Sequence, residues 1–248
     1  MFFSGCGLRC CFCQNHDIAM GSRGRAVSVE RLGEIFLELK EKGAANINLV
    51  TGAHYVPQII EALDMARRKG LDIPVVYNSS GYEKTETLKL LEGYVDIYLP
   101  DLKYLDPELA QKFSYAPDYV QAAKAAIREM VRQTGICEFG EVGYSRKGTI
   151  VRHLILPGHT GNSIKALRYL HETYGEDIYI SIMNQYTPVR KFVEFKELNR
   201  KVTKREYEKV LDAAVDMGIQ NGFIQEGETA SESFIPDFDY EGVEKNTP

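Results

Sequence analysis

Apolar residues recur along the chain with two alternating periods. The first helical stripe, over residues 29–39, has Ser28 before it as an N-cap and Gly43 after it as a stop. Residues 46–51 are short, apolar and β-branched, which predicts a buried strand. The same alternation predicts further helices over 56–66, 85–92, 120–131, 164–174 and 207–214 and further strands over 73–78, 94–99, 149–156, 177–183 and 222–226.

Strands that alternate with helices predict a parallel sheet, because parallel strands need crossover connections and helices supply them. The chain opens with an apolar stub around Phe2 that leads into Gly5 and Cys6. A strand of two or three residues falls short of the usual five or six, so we expect the first strand to be truncated. With the stub the chain has seven candidate strands, which favours a partial or near-complete (β/α) barrel over a short doubly wound sheet. Residues 138–147 carry several glycines and predict a loop or hairpin.

Composition narrows the class of protein. The 248 residues are 44% hydrophobic and 26% charged, as expected of a globular chain with a real core. With no Pro/Ser-rich linker, we expect one domain over 1–248 with a loosely held acidic tail from about 236. A net charge of −5 argues against a nucleic-acid partner. The sequence contains no apolar run of the ~18 residues that a membrane span needs, and no secretory leader, so we expect a cytoplasmic protein.

Four of the five cysteines lie between positions 6 and 13, and this crowding indicates a redox or metal role. A disulfide is disfavoured in a reducing compartment. Cys6, Cys10, Cys13 and His16 have spacings that suit a structural zinc ion, and the thiolates alone suit an iron–sulfur cluster. The spacing does not decide between the two metals. The motif follows the first strand, at the end of a barrel where active sites are built, and this favours catalysis.

The pattern Cys6-x₃-Cys10-x₂-Cys13, with Phe12 before the last cysteine, resembles the radical S-adenosylmethionine (SAM) superfamily. The wider string from Phe3 to Asn15 is similar to the glycyl-radical-enzyme activating branch, especially the relatives of pyruvate formate-lyase activating enzyme. The resemblance extends from Phe2 to about Phe238. It includes the strand-end segments 78–81, 100–103 and 152–158.

The resemblance implies a fold, a cofactor set and a reaction. Cys6, Cys10 and Cys13 would hold three irons of a [4Fe–4S] cluster and be the catalytic metal ligands, with SAM on the fourth iron. A flavodoxin or ferredoxin would supply one electron, and the 5′-deoxyadenosyl radical would remove hydrogen from a glycine of a partner glycyl radical enzyme. The alternative is a small molecule or another peptide as substrate. Cys11 is surplus to this pattern and Cys137 has no predicted partner, so a single cluster is expected.

Residues at the predicted strand ends are candidates for binding SAM. Asp101 and Lys103 alternate on one face of a strand end, where a lysine can meet a carboxylate and an aspartate can meet ribose hydroxyls. Arg152 interrupts an apolar strand and by the family pattern faces inward. The full candidate set is Phe12, Thr51, Gly52, Asn78, Ser79, Asp101, Lys103, Arg152 and Gln185.

Two positions depart from the family pattern. Where relatives carry a Gly-Gly-Glu motif that holds the methionyl amine, this chain has Thr51-Gly52-Ala53, with one glycine and no acid. We expect backbone carbonyls to replace that contact, and an ordinary strand-to-helix turn is the alternative. Asn78 and Ser79 stand where relatives have an Asp-Thr pair, so a charge is lost there.

Overall fold

A computed structural model describes residues 1–141, 143–225, 240 and 242–243, and its sheet is parallel and open. The parallel strands, in spatial order, are β1 (Ile47–Val50), β2 (Val75–Ser79), β3 (Ile97–Pro100), β5 (Ser145–Leu154), β6 (Tyr179–Met183) and β7 (Gly222–Ile224). A short β4 (Glu138–Phe139) pairs antiparallel with β5. Because neighbouring parallel strands follow one another in the chain, the order never reverses, as in a barrel and unlike a doubly wound sheet. The architecture is therefore the predicted partial barrel.

Helices connect the strands and cover one face of the sheet. They are α1 (His16–Ala19), α2 (Val29–Glu41), α3 (Val56–Arg68), α4 (Thr85–Leu90), α5 (Pro107–Ser114), α6 (Tyr119–Thr134), α7 (Thr160–Tyr174) and α8 (Lys204–Asp216), with 3₁₀ turns at Gly52–Tyr55 and Lys196–Asn199. Alternate strand residues such as Ile47, Leu49 and Ile180 are buried beneath these helices. The remaining strand residues lie on the opposite face, which we call the inner face.

Buried side chains form two hydrophobic clusters. The first joins α2 and α3 to β1 and β2, with Phe36, Leu49 and Leu63 at its centre. The second joins α5, α7 and α8 to β5 and β6, and it also contains Leu8 and Phe12 from the cysteine-rich segment. The second cluster therefore ties that segment to the later part of the chain.

Most predicted elements are confirmed, with differences at the edges. The stub at Phe2 makes a single parallel bridge to Val50. The described residues of the segment predicted as a loop or hairpin pair as a hairpin, with β4 antiparallel to the start of β5. Helix α5 was not predicted, although Asp106 caps it and Pro107 occupies its first turn. The predicted acidic tail from about 236 lies outside the described residues, apart from 240 and 242–243. None of the helices described is long and apolar enough to cross a bilayer.

Candidate active site

The segment from Cys6 to Cys13, which we call the cysteine loop, is anchored to the end of α5. The Cys11 backbone N–H donates to the Phe113 carbonyl at 2.8 Å, and the Arg9 N–H donates to the Ser114 carbonyl at 3.3 Å. Leu8 and Phe12 are buried in the second hydrophobic cluster. These contacts hold the loop over the carboxyl side of β3, although it begins beside β1.

Cys10 and Cys13 lie close enough to the neighbouring motif thiols for those thiols to affect their pKa. Burial raises the pKa of Cys10 and raises that of Cys13 to about 11, and neighbouring thiols add to both shifts. The positive charge of Lys103 acts in the opposite direction on both thiols. Iron binding must displace these protons, so a nearby cation favours the thiolate that a metal needs.

The motif thiols differ from Cys11 in their surroundings. Cys6, Cys10 and Cys13 are partly exposed, whereas Cys11 is buried in the second hydrophobic cluster. This placement agrees with Cys11 being a packing residue. Cys137 belongs to the hairpin, where its thiol lies 3.4 Å from the Thr149 carbonyl.

Three charged side chains and one amide meet on the inner face at the ends of β2, β3 and β5. Arg152 Nη2 lies 2.7 Å from Asp101 Oδ1 and donates a hydrogen bond to Asn78 Oδ1 at 2.7 Å. Lys103 Nζ contacts the other carboxylate oxygen of Asp101. We call Asp101, Lys103 and Arg152 the charge cluster. With two cations and one anion it carries a net positive charge.

Electrostatics keep Asp101 and Lys103 ionised although both are partly buried. Burial works to raise the pKa of Asp101, but the charges of Arg152 and Lys103 outweigh it and hold the pKa below its ordinary value. Burial works to lower the pKa of Lys103, and the Asp101 carboxylate outweighs it in turn. Asp101 and Lys103 therefore each depend on a charged neighbour to stay ionised.

Sheet register and one tyrosine place the charge cluster. Asp101 bridges Arg152 across the ends of β3 and β5, so their side chains leave the same face. The Tyr119 hydroxyl is 2.9 Å from the Asp101 carbonyl and accepts from the Lys103 N–H at 2.9 Å. Gly81 lies against this turn with a positive φ of 74°, and a Cβ there would collide with the Asp101 carbonyl. The backbone on both sides of the charge cluster is thus tightly constrained.

Other predicted SAM-binding residues lie apart from the charge cluster. Thr51 adopts the left-handed conformation, with φ 62°. Gly52 is buried, and a Cβ there would come within 2.8 Å of Ile59, so close packing explains the glycine. Ser79 is turned toward Gly81 and Glu83, away from the inner face. The structure therefore unites Asn78, Asp101, Lys103 and Arg152 but not these three.

The remaining two candidates lie toward β6. Phe12 packs edge-on against Tyr186, with ring centroids 6.1 Å apart. Gln185 accepts a hydrogen bond from Gln225 at 3.1 Å, at the carboxyl ends of β6 and β7. Gln225 was not predicted, because nothing in its local pattern distinguishes it from other strand-end amides.

Sequence reasoning also missed the buried residues that contact Cys10 and the backbone of the charge cluster. Tyr104, Ser114 and Tyr119 are all buried, and they surround Cys10 and the charge cluster. The Asp-Pro pair at 106–107 was a usable signal for α5 and thus for its terminal Ser114. No local signal marks the two tyrosines, whose roles depend on contacts across the fold.

The donor set suits a cluster with several irons. Cys6, Cys10 and Cys13 supply three thiols on one loop, beside a buried cation. Within residues 1–141, 143–225, 240 and 242–243, no three His, Cys, Asp or Glu side chains gather around one point as a single metal ion requires. In an iron–sulfur cluster each thiolate binds a separate iron, so its ligands need not converge on one point.

Comparisons with known proteins identify relatives of this site and fold. A sequence profile described as the Radical SAM superfamily matches residues 1–170. The uncharacterised protein MJ0674 of Methanocaldococcus jannaschii is 28% identical over 221 residues, which cover 86% of this chain and 61% of that protein. The pyruvate formate-lyase-activating enzyme of Clostridium pasteurianum is 26% identical over 113 residues, covering 44% of this chain and 46% of the enzyme.

The fold also matches solved structures. Streptococcus suis SuiB bound to S-adenosylmethionine superposes with a TM-score of 0.60 at 14% identity, covering 92% of this chain and 50% of SuiB. SuiB is also solved bound to precursor peptide SuiA. At this identity the likeness concerns the fold alone. The chain spans less than two thirds of the length of each of these proteins.

Proposed function

Because the chain belongs to the radical SAM superfamily, we propose that Cys6, Cys10 and Cys13 hold a [4Fe–4S] cluster that binds SAM at its open iron. The observation that carries this proposal is that Cys10 and Cys13, two of the three motif thiols, lie close enough to Lys103 for its positive charge to act on them. When bound and reduced, the cluster supplies the electron that cleaves SAM to methionine and a 5′-deoxyadenosyl radical.

The chain's own residues bind and orient SAM. The net positive charge cluster meets the methionyl carboxylate, because Lys103 and Arg152 have donors to offer a carboxylate. Arg152 Nε is buried without a hydrogen-bond partner, so one donor of this guanidinium is not satisfied within the protein. Asp101 positions both cations and stays within reach of ribose hydroxyls. Asn78 fixes the guanidinium of Arg152 by accepting its hydrogen bond.

The methionyl amine is held differently from the family pattern. The position of the family's glutamate is taken by Ala53, in the 3₁₀ turn after Thr51. Backbone carbonyls of this turn replace the acid. The left-handed conformation of Thr51 redirects the chain at this point and supports a specialised role for the turn.

For the substrate, we propose a glycine of a partner glycyl radical enzyme, with a flavodoxin or ferredoxin as electron donor. The similarity to the Clostridium pasteurianum activating enzyme supports this choice. The second candidate is another peptide, which the likeness to peptide-bound SuiB favours. In both cases the inner face of the open sheet admits the substrate.

The test is anaerobic reconstitution followed by turnover with SAM and dithionite. We expect 5′-deoxyadenosine and methionine in equal amounts, and a glycyl radical signal by electron paramagnetic resonance when the right partner protein is added. Deoxyadenosine without a protein radical would favour a different substrate. A colourless protein that takes up zinc and no iron would contradict the proposal as a whole.

A further inference from the structure

A chain of hydroxyl groups leads from the protein interior to one of the motif cysteines. Tyr104 Oη lies 2.8 Å from Ser114 Oγ, and Ser114 Oγ lies 3.0 Å from Cys10 Sγ. Both donors are buried, with Tyr104 at 0% and Ser114 at 1% exposure. We infer that this relay sets the reduction potential of the proposed cluster, with Ser114 and Tyr104 as positioning residues.

The direction of the hydrogen bonds follows from the chemistry of the groups. A metal-bound thiolate has no proton and can only accept. Ser114 has one hydroxyl proton, so it donates this proton to Cys10. Tyr104 must then donate to Ser114, which leaves both hydroxyl protons pointing toward the sulfur. Hydrogen bonds in such a chain polarise one another, so Tyr104 strengthens the bond that Ser114 makes.

The surrounding structure holds this arrangement in place. Ser114 is the last residue of α5, and the backbone bonds from Arg9 and Cys11 tie the cysteine loop to this helix end. The Tyr104 ring packs edge-on against Tyr119, with centroids 5.4 Å apart. Since both hydroxyls are buried away from water, Ser114 keeps donating to Cys10, and Tyr104 to Ser114, in both oxidation states of a cluster.

Cys10 is distinguished from the other two ligands by the kind of donor it has. The Leu8 N–H lies 3.5 Å from Cys6 Sγ. Cys13 has a hydrogen bond with the backbone of Asn15. Those donors belong to the main chain and follow from the loop itself. The donor to Cys10 is a side chain from a distant helix, so it can be removed without changing the loop sequence.

The expected effect is a higher reduction potential. Reduction adds negative charge to a cluster, and a hydrogen bond to sulfur stabilises the reduced form more than the oxidised form. Removing the donor therefore lowers the midpoint potential and makes reduction harder. The inference rests on the proposed function, because it needs a cluster on Cys10.

The test measures the midpoint potential of the reconstituted cluster in the absence of SAM. The variants are Ser114→Ala, which removes the donor, and Tyr104→Phe, which removes only the relay behind it. Ser163→Ala is the matched control, because Ser163 is equally buried but lies on α7. Iron and sulfide are quantified in every sample, and the titration is followed by electron paramagnetic resonance.

We expect the midpoint potential to shift downward in Ser114→Ala, to shift less in Tyr104→Phe, and to stay at the wild-type value in Ser163→Ala. Resonance Raman iron–sulfur stretching bands should shift in D₂O in the wild type and shift less in Ser114→Ala, where only the backbone donors to Cys6 and Cys13 remain. If Ser114→Ala does not retain a cluster, the test uses the midpoint potential of Tyr104→Phe instead. A potential below that of the control Ser163→Ala supports the inference, and an equal potential contradicts it. Potentials equal to the control in cluster-loaded variants overturn this inference alone, whereas a wild type that binds no cluster overturns the proposed function with it.

Discussion

The ends of the first two strands and the ends of the next two differ in chemistry. β1 and β2 end in Thr51, Gly52 and Asn78, which carry no charge. β3 and β5 end in the charge cluster, and the helix after β3 anchors the cysteine loop. The loop begins next to β1 through the bridge between Phe2 and Val50, yet its buried contacts lie with α5.

This difference separates two tasks within one sheet. The first two strands provide packing, as the buried Gly52 beside the side chains of Ile59 and Tyr77 shows. The next two provide the ionised groups and the support of the motif cysteines. A substitution of a charged residue at the end of β3 or β5, or of a motif cysteine, should therefore disturb metal binding or the charge balance, whereas one of a packing residue in β1 or β2 should mainly change stability.

The largest expected effect comes from the cysteine loop. Cys10→Ala should remove a cluster ligand together with the partner of Ser114, and should reduce iron and sulfide content to near zero after reconstitution. Cys11→Ala is the matched control, since Cys11 is buried in the hydrophobic cluster, and it should retain wild-type iron content. Full iron content in Cys10→Ala would contradict the ligand assignment.

A smaller but large effect is expected for Asp101→Asn. The substitution leaves Lys103 and Arg152 without their anion, and we expect a loss of about 3 kcal/mol in the free energy of unfolding, as for a broken buried ion pair. The control Asn78→Ala removes only a neutral partner of Arg152 and should cost about 1 kcal/mol. Urea unfolding of the metal-free protein measures both. Equal losses would show that the two strand ends do not differ in the way described.

Gly81→Ala tests whether the turn after β2 constrains the charge cluster. Gly81 and Gly43 both have positive φ, but a Cβ at Gly43 meets nothing within 4 Å. Gly43→Ala should cost about 1 kcal/mol from backbone strain alone. Gly81→Ala should cost more, because the methyl group collides with the Asp101 carbonyl. It should also weaken SAM binding, which isothermal calorimetry measures. An equal loss in the free energy of unfolding at both positions would show that Gly81 does not constrain the Asp101 carbonyl.

The smallest effect is in the pH dependence of stability, where the two regions act in opposite directions. Burial raises the pKa of Glu83, after β2, to about 7. The contribution of Glu83 to the free energy of unfolding is present in full at low pH. It is lost as the pH rises from the ordinary carboxylate range through 7. Burial lowers the pKa of His153, in β5, to about 4. Its contribution is complete above the ordinary histidine range and is lost as the pH falls through 4.

In the wild type these two slopes partly cancel between pH 4 and 7. Compared with the wild type, Glu83→Gln should show stability that rises more steeply with pH in this window, because His153 then acts alone. His153→Gln should show stability that falls more steeply. Urea midpoints of the metal-free variants at intervals of half a pH unit measure both slopes. Slopes of the same sign in the two variants would refute the opposition between the regions.

Local pattern predicted most of the fold, and it named four residues that the structure brings together, which are Asn78, Asp101, Lys103 and Arg152. The alternation of periods located the six parallel strands, and the cysteine spacing located the metal ligands proposed here. The polar residues at the ends of β2, β3 and β5 were found because charges interrupt apolar strands. Gly52 and Ser79 were also named for ligand binding, and the structure places them apart from the charge cluster, Gly52 packed near Ile59 and Ser79 bonded to the Gly81 N–H. A strand end looks the same in sequence whether its side chain points inward or outward.

The sequence by itself determined the order of strands and helices, the cysteine motif and the presence of charges at particular strand ends, because these depend on neighbouring residues. Only the tertiary structure decided which charges meet and what supports Cys10. Asp101 meets Arg152 through the register of β3 and β5, and Ser114 reaches Cys10 because the loop docks on α5. Such contacts join residues far apart in the chain, and only the packing of the sheet and helices brings them within hydrogen-bond distance.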